Sequence, residues 1–326
     1  MAHRNYCSFV IFFISMLSCA VNTYSDPCDP KNLRDPKTLR TDQLTVLING
    51  YSESRIPLLQ SIAATYASSP IVSSVQILWG NPKTPLKILS LLSQNLSIAS
   101  PGAPIAVIRQ NSDSLNSRFN PRRSISTRAV LICDDDVEVD TKSVEFAFAM
   151  WSKNRDKIVG FFARSHDLDI VNRRWMYTMH SDKYSIVLTK FMIVRIEFLY
   201  SYRCGGDVAA MAKAREVVDR RRNCEDILMN FVAAEEGEGV MVVEAERIRD
   251  YGDSRNEGRS GVESAGLSSR KKDHRKRRGE CITEFHRVLG RMPLKYAYGK
   301  VVRGVGEQGL CEKGGKLVLC DHQIVD

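Results

Sequence analysis

The apolar run Ala129-Val-Leu-Ile-Cys133 ends in Asp134-Asp135-Asp136 and resumes as Val137-Glu-Val139. A buried strand that delivers adjacent carboxylates at its tip narrows what such a chain can fold into. Like charges that close repel one another unless a cation or a set of donors compensates them. Oxygen ligands at a strand end suit a hard divalent ion such as Mg²⁺ or Mn²⁺. Held open on one side, that ion can grip a diphosphate. The bland alternative is a solvated acidic turn after a strand.

The surrounding pattern is α/β. Leu44-Thr-Val-Leu-Ile48 reads as a strand, Asn49-Gly-Tyr-Ser52 as a turn, and Ile56–Ala67 has helical spacing. Val72–Trp79 is a second strand, ending in Gly80-Asn81-Pro82, and Ile105–Arg109 a third. Ala129–Cys133 is a fourth, and Ser143–Lys153 a helix. Strands alternating with helices predict a mostly parallel sheet. Ligands of such sheets sit beyond the carboxyl ends of the strands. Asn49, Asn81 and the aspartate triplet all fall at those ends, which favours the ligand site over the acidic turn. Further strands are expected at Ile158–Arg164, Tyr184–Thr189 and Phe191–Val194. In Asn223-Cys-Glu-Asp-Ile-Leu-Met-Asn-Phe-Val232 the apolar residues recur on one helical face. Glu225 and Asp226 fall in its first turn, where carboxylates favour the helix dipole. By themselves they read as capping residues.

At 326 residues the chain can bury one large α/β core or two smaller ones. A formal charge of +9 fits either a phosphate-rich or acidic partner, or solubility alone. His3 and Arg4 precede an apolar run, Ser8 to Val21, that is short for a membrane span of ~20 residues. With Ser18, Cys19 and Ala20 behind it, the run fits a signal peptide. A short type II anchor is the competing reading. Either one sends the body into the secretory pathway. Residues 1–24 are then targeting sequence, 25–42 a stem, 43–302 the working domain and 303–326 a tail.

An oxidising lumen permits disulfides among Cys28, Cys133, Cys204, Cys224, Cys281, Cys311 and Cys320, none of which has zinc spacing. Cys133, inside an apolar strand, reads as a buried thiol. Cys311 to Cys320 looks like a small closed loop. Asn95-Leu-Ser97 is an N-glycosylation sequon. From Gly258 to Gly279 glycine, serine and charge dominate, and Arg270–Arg278 is nearly all basic. This segment reads as a loop: a lid over phosphate, a solvated loop, or a nucleic-acid patch. The lumenal signal argues against nucleic acid as a partner.

These residues together carry a resemblance. The triplet after a strand, Phe146-Ala-Phe148 with Trp151, Ile158-Val-Gly160 and Arg164-Ser-His166 resemble the exostosin family of glycosyltransferases. So do Tyr184–Thr189, Cys224-Glu-Asp-Ile-Leu-Met-Asn-Phe231 and Met292-Pro-Leu294. The chain is most similar to the plant members of glycosyltransferase family 64, from about Leu44 to about Val302. The resemblance implies a GT-A fold, a single Rossmann-like nucleotide-binding sheet merged with an acceptor-binding half. It implies retaining, Mn²⁺-dependent transfer (Mg²⁺ being the other candidate) from a nucleotide-sugar donor.

Carried over by position, Asp136 would ligate the metal, while Asp134 and Asp135 contact nucleotide and donor sugar. Asn49 and Asn81 would line the base and ribose pocket. Arg118 would contact the donor, with Asp113 or Asn116 beside it. Asp226 matches the catalytic carboxylate, Glu225 its acidic neighbour, and Arg278 an arginine that clamps the diphosphate. Cys224 and Cys281 match a family disulfide. The donors implied are UDP-N-acetylhexosamine or GDP-mannose. The acceptor is a glycan or a glycosyl inositolphosphoceramide sphingolipid, in the Golgi or endoplasmic reticulum. Membrane association would come through the N-terminal segment or the acceptor.

Two departures stand out. Lys190-Phe191 replaces the Gly-Ala of animal members after the Tyr-Ser strand. The Ser52-Glu-Ser-Arg55 loop is longer than its animal counterpart, which makes Arg55 a poor match to a nucleotide ligand. A non-catalytic glycan- or lipid-headgroup-binding protein on the same scaffold is the alternative function, and the intact triplet with Asp226 counts against it.

Overall fold

A computed structural model describes residues 26–99, 102–237, 239–252, 273–304, 310–313 and 315–319. The expectations for residues 1–24, for Arg270 to Lys272 and for Cys320 lie outside these residues. In chain order the first half comprises β1 (Arg40–Gly50), α1 (Ile56–Ala67), β2 (Val72–Trp79), α2 (Leu86–Ala99) and β3 (Ile105–Arg109). It continues with β4 (Thr127–Asp134), β5 (Val137–Val139), α3 (Thr141–Lys153), β6 (Ile158–Gly160), β7 (Ala163–Asp169) and β8 (Arg174–Thr178). Then come β9 (Lys183–Tyr184), β10 (Ile186–Val187), β11 (Phe191–Arg195), α4 (Ile196–Cys204), α5 (Val208–Arg221) and α6 (Glu225–Glu236). The last elements are β12 (Val240–Val242), β13 (Ile248–Asp250), α7 (His274–Leu289), β14 (Ala297–Tyr298), β15 (Leu310–Lys313) and β16 (Lys316–Leu319).

A central sheet of seven strands runs β12-β6-β11-β4-β1-β2-β3. Only β11 is antiparallel to its neighbours, so the sheet is mostly parallel, as the β/α alternation predicts. Leu44 to Ile48 are buried without a break, the mark of a strand covered on both faces. Leu44, Val46 and Ile48 pack toward α1, α2 and α3, while Leu47 packs toward α4, α5, α6 and α7. Pro57 in the first turn of α1 costs no hydrogen bond there, and Leu59, Ile62, Ala63 and Tyr66 form its buried stripe.

Several elements differ from the sequence reading. The expected strand Ile158–Arg164 breaks at Phe161-Phe162, because β6 belongs to the central sheet and β7 to a small sheet ordered β10-β7-β8. Tyr184–Thr189 breaks at Ser185, because β9 pairs with β14 while β10 pairs with β7; the Ser185 hydroxyl bonds the backbone N–H and ring of His166. The segment expected as a stem, residues 25–42, is joined to the domain at both ends. Its last residues belong to β1, and Cys28 is bonded to Cys204 at the end of α4.

The basic segment expected as a loop is helical from His274 onward. Arg278, Cys281, Ile282 and Phe285 recur at helical spacing as its buried face. Gly279, which read as a loop residue, serves close packing: a Cβ there would lie 2.9 Å from the Trp175 carbonyl oxygen on β8.

Candidate active site

The register places Asn49 opposite Asp134 across β1 and β4, at the carboxyl edge of the sheet. Asn81 follows β2 on the same edge, its Oδ1 accepting the Lys83 N–H at 3.0 Å. Behind Asp134 the chain turns through Asp135 and Asp136 into β5, which pairs antiparallel with β13. That pairing lays Tyr251 and Gly252 against the triplet, with the Tyr251 N–H donating to the Asp136 carbonyl at 2.8 Å.

Arginines answer the carboxylates. Arg55 Nη1 donates to Asp135 Oδ1 at 2.8 Å and to Asp136 Oδ2 at 3.1 Å. Arg118 Nη1 lies 3.0 Å from Asp134 Oδ1 and 3.4 Å from Glu225 Oε1. One buried nitrogen therefore joins the end of β4 to the first turn of α6. Arg278 Nη2 donates to Asp226 Oδ2 at 2.5 Å, Nη1 donates to Asn223 Oδ1 at 2.8 Å, and the guanidinium sits over the Tyr177 ring. Asp226 Oδ1 accepts the Ile227 N–H at 2.8 Å.

Two separate parts of the sequence thus converge on one buried acidic site. Its three arginines face five carboxylates, and two carboxylates remain without an arginine of their own. The imbalance appears in the protonation of the site. Burial, reinforced by Asp134 and Asp135, pushes Asp136 up to about 7. Burial also pushes Glu225 up to about 7, with Arg118 opposing it and Asp226 adding to it.

Asp136 Oδ1 is buried and accepts no hydrogen bond. An orphaned carboxylate oxygen in an over-acidic cluster fits a hard divalent cation. Among the described residues no group of three or more His, Cys, Asp or Glu side chains is arranged to hold a metal alone. A cation at Asp136 would therefore take its other oxygens from water or phosphate, the usual coordination of Mg²⁺ at phosphate sites. Lys190, the departure noted above, reaches the same corner: it pairs with Asp250 and, after Arg55, opposes the upward push on Asp136. Arg55, discounted on loop length, is the direct partner of two triplet aspartates.

Gly252 closes the far side. A Cβ at this position would lie 2.4 Å from Asp136 Oδ2, so only glycine lets β13 approach. Gly252→Ala is expected to displace the Asp136 carboxylate, and, on the metal-site reading proposed below, to weaken metal-dependent nucleotide binding by about 10–100-fold, the usual effect of disturbing a ligand's support. Calorimetry with an unchanged melting temperature would check it; unchanged affinity would refute it.

Other expected site residues are engaged elsewhere. Asn116 Nδ2 donates to the Arg215 carbonyl and to Asp219, and its Oδ1 accepts the Tyr202 hydroxyl at 2.5 Å. These bonds pack α4 and α5, and none reaches the carboxylate cluster. Asp113 is exposed and pairs with Arg222 at 2.6 Å. Cys224 is bonded to Cys281, fixing the start of α6 to α7 and thereby Asp226 to Arg278. Cys133 is the buried free thiol expected from its strand. Asn95 is exposed on α2, accessible to a glycan.

This is an α/β protein whose carboxyl-edge site joins an acidic triplet to the amino end of a buried helix. The family profile described as Glycosyl transferase family 64 domain matches residues 44–306. The chain belongs to glycosyltransferase family 64 and is a glycosyltransferase. It is 61% identical over 300 residues to Glycosyltransferase family protein 64 C3 of Arabidopsis thaliana, covering 91% of each chain. It is 30% identical over 270 residues to Glycosylinositol phosphorylceramide mannosyl transferase 1 of the same plant, covering 79% of this chain and 75% of that one. Exostosin-1a of Danio rerio is 30% identical over 244 residues, 74% of this chain and 31% of its own length. A crystal structure of GalNAc-T7 with UDP, GalNAc and Mn²⁺ shares 10% identity and a TM-score of 0.37 over 52% of this chain and 37% of its own, and carries no argument about the site. Among the described residues no helix is long and apolar enough to cross a membrane.

Proposed function

We propose that the chain is a metal-dependent, retaining glycosyltransferase of GT-A architecture. It moves a sugar from UDP-N-acetylhexosamine or GDP-mannose to a glycan or a glycosyl inositolphosphoceramide sphingolipid. The work takes place in the Golgi or endoplasmic reticulum, on a chain glycosylated at Asn95. The lipid acceptor draws support from the mannosyltransferase among its relatives. The observation that carries the reading is the orphaned Asp136 oxygen in a carboxylate cluster that arginines only partly neutralise.

Each side chain has a task in this reading. Asp136 would hold Mn²⁺ or Mg²⁺, which when bound withdraws charge from the departing diphosphate. Asp134 and Asp135, aligned by Arg118 and Arg55, present acceptors to the donor's ribose and sugar hydroxyls. Asn49 and Asn81, at neighbouring strand ends, offer amides to the base and ribose. Glu225 borders the donor sugar, and Asp226 stabilises positive charge at its anomeric carbon. Arg278 keeps Asp226 oriented, and its Nε, buried without a partner, is a donor available to the diphosphate.

Calorimetry with UDP and GDP, each with and without Mn²⁺, tests this. Binding of one nucleotide only when metal is present is the expected result. Equal binding of both without metal would sink the reading.

A further inference from the structure

We propose that the tip of the β7–β8 hairpin, with the basic groove behind it, docks on an anionic lipid bilayer. Ile170 and Val171 stand 78% and 90% exposed at the turn. Two large apolar side chains left in water at the end of a projecting hairpin call for a partner surface. They do not stand out through looseness. Asp169 accepts the Asn172 N–H at 3.0 Å, Asn172 Nδ2 at 2.8 Å and Arg174 Nε at 3.3 Å, so one carboxylate clamps the whole turn. The clamp prevents the apolar pair from folding back onto the body. Leu168 and Met176, further down the two strands, are also part-exposed, one on each face of the hairpin.

Cations surround the tip. Arg173 and Arg174 follow it in the chain. Arg174 also lines a groove of about 640 Å³ between β8 and α7, floored by Trp175, Met176 and Tyr177. Arg275, Lys276 and Arg287 supply further positive charge to its walls. Its two carboxylates, Glu280 and Glu284, are already engaged by Arg221 and Arg220. Among the described residues no carboxylate pairs with Arg275, Lys276 or Arg287. Arg275 and Lys276 sit in the first turns of α7, where the helix dipole adds to their positive field.

This combination decides the occupant. Stable attachment to a membrane interface takes two contributions, an apolar insertion and a basic patch facing anionic headgroups. The hairpin and the groove supply one each, and both are bordered by β8. A soluble anion would fill the groove but leave Ile170 and Val171 in water. The inference goes beyond the proposed reaction, because it requires neither a particular acceptor nor turnover.

The full chain carries an apolar run near its N-terminus that can itself bind lipid, so the readout must be local. Val171→Cys labelled with an environment-sensitive fluorophore, in a chain whose Cys7, Cys19, Cys311 and Cys320 are replaced by serine, reports the tip alone; Cys133 is buried and Cys28, Cys204, Cys224 and Cys281 are paired in disulfides. Vesicles of phosphatidylcholine with phosphatidylserine are expected to blue-shift the label, and pure phosphatidylcholine vesicles to do so weakly. Adding Ile170→Asp is expected to abolish the shift. Arg275→Glu with Lys276→Glu is expected to weaken the vesicle response by about tenfold or more. An unshifted label on vesicle-bound protein would overturn the proposal. So would an equal response to neutral vesicles, or a shift that depends on protein concentration without lipid. The measurement uses no donor, metal or acceptor, so its failure is distinct from failure of the proposed activity.

Discussion

Asp226→Asn is expected to lower turnover by about 10²–10³-fold while metal-dependent nucleotide binding persists, the usual scale for removing one charge that acts on the transition state. The substitution is nearly isosteric, but it takes the carboxylate partner from the buried Arg278, so some loss of stability is expected beside the loss of turnover. An amide oxygen can still accept the Ile227 N–H or a hydrogen bond from Arg278, so α6 and its disulfide to α7 stay in place. What disappears is the negative charge that the proposed reaction places beside the donor sugar. Asp226 binds no part of the triplet, so the nucleotide end of the site should be untouched. Single-turnover transfer measured beside calorimetric nucleotide affinity separates the two effects. Full transfer by the variant would remove Asp226 from the chemistry. Loss of both transfer and nucleotide binding would show that its role is structural.

Much of this geometry is visible in the sequence, and the parts that are not share a cause. Helix Ile56–Ala67 and strands Val72–Trp79 and Ile105–Arg109 have the limits that their own periodicity sets. The helix buries a continuous stripe and Val72–Trp79 buries Val75 to Trp79 in succession, while Ile105–Arg109 is a half-buried edge strand that its β-branched residues still mark. Helix α2 escapes that reading because Leu86, Leu91 and Ile98 face solvent and blur its apolar stripe. Helix α7 escapes because arginine and lysine crowd its first turns, and its glycine serves close packing with β8.

At the site, the triplet's place on the carboxyl edge follows from strand order alone. The identity of its partners does not. Arg118 and Glu225 are far apart in the chain, and only the packing of α6 against the sheet brings them to a single nitrogen. Asn116 neighbours Arg118 in sequence yet faces α4 and α5, since the short 3-10 turn Leu115–Phe119 points the two side chains in different directions. Arg55 looked misplaced on loop length, yet the short 3-10 turn Glu53–Arg55 sets its side chain across Asp135 and Asp136. Lys190 marked a departure from animal relatives, and its position beside Asp250 and Asp136 shows that the departure bears on the triplet itself.

Arg118→Ala is expected to destabilise the fold by about 3–5 kcal/mol at neutral pH, the cost of leaving buried charge without its partner. Arg118 is 4% exposed and bridges Asp134 to Glu225, so its loss strands two carboxylates rather than one. The effect should depend on pH in a defined direction. In the native chain burial already raises Glu225 from its ordinary 4.5 to about 7. A carboxyl raised on folding binds a proton in the native state before the unfolded one does. Stability therefore falls as pH rises through the window between those two values. Removing Arg118 takes away the cation that opposes this shift, so the window extends upward and the loss deepens. The melting-temperature difference between variant and parent should be small at pH 5, where Glu225 is protonated, and largest above pH 7. Adding Glu225→Gln should recover part of the loss and flatten its pH dependence, because the stranded charge then no longer forms. A destabilisation independent of pH would mean that Arg118 supports the site by filling space, and that the bridge between β4 and α6 is not electrostatic.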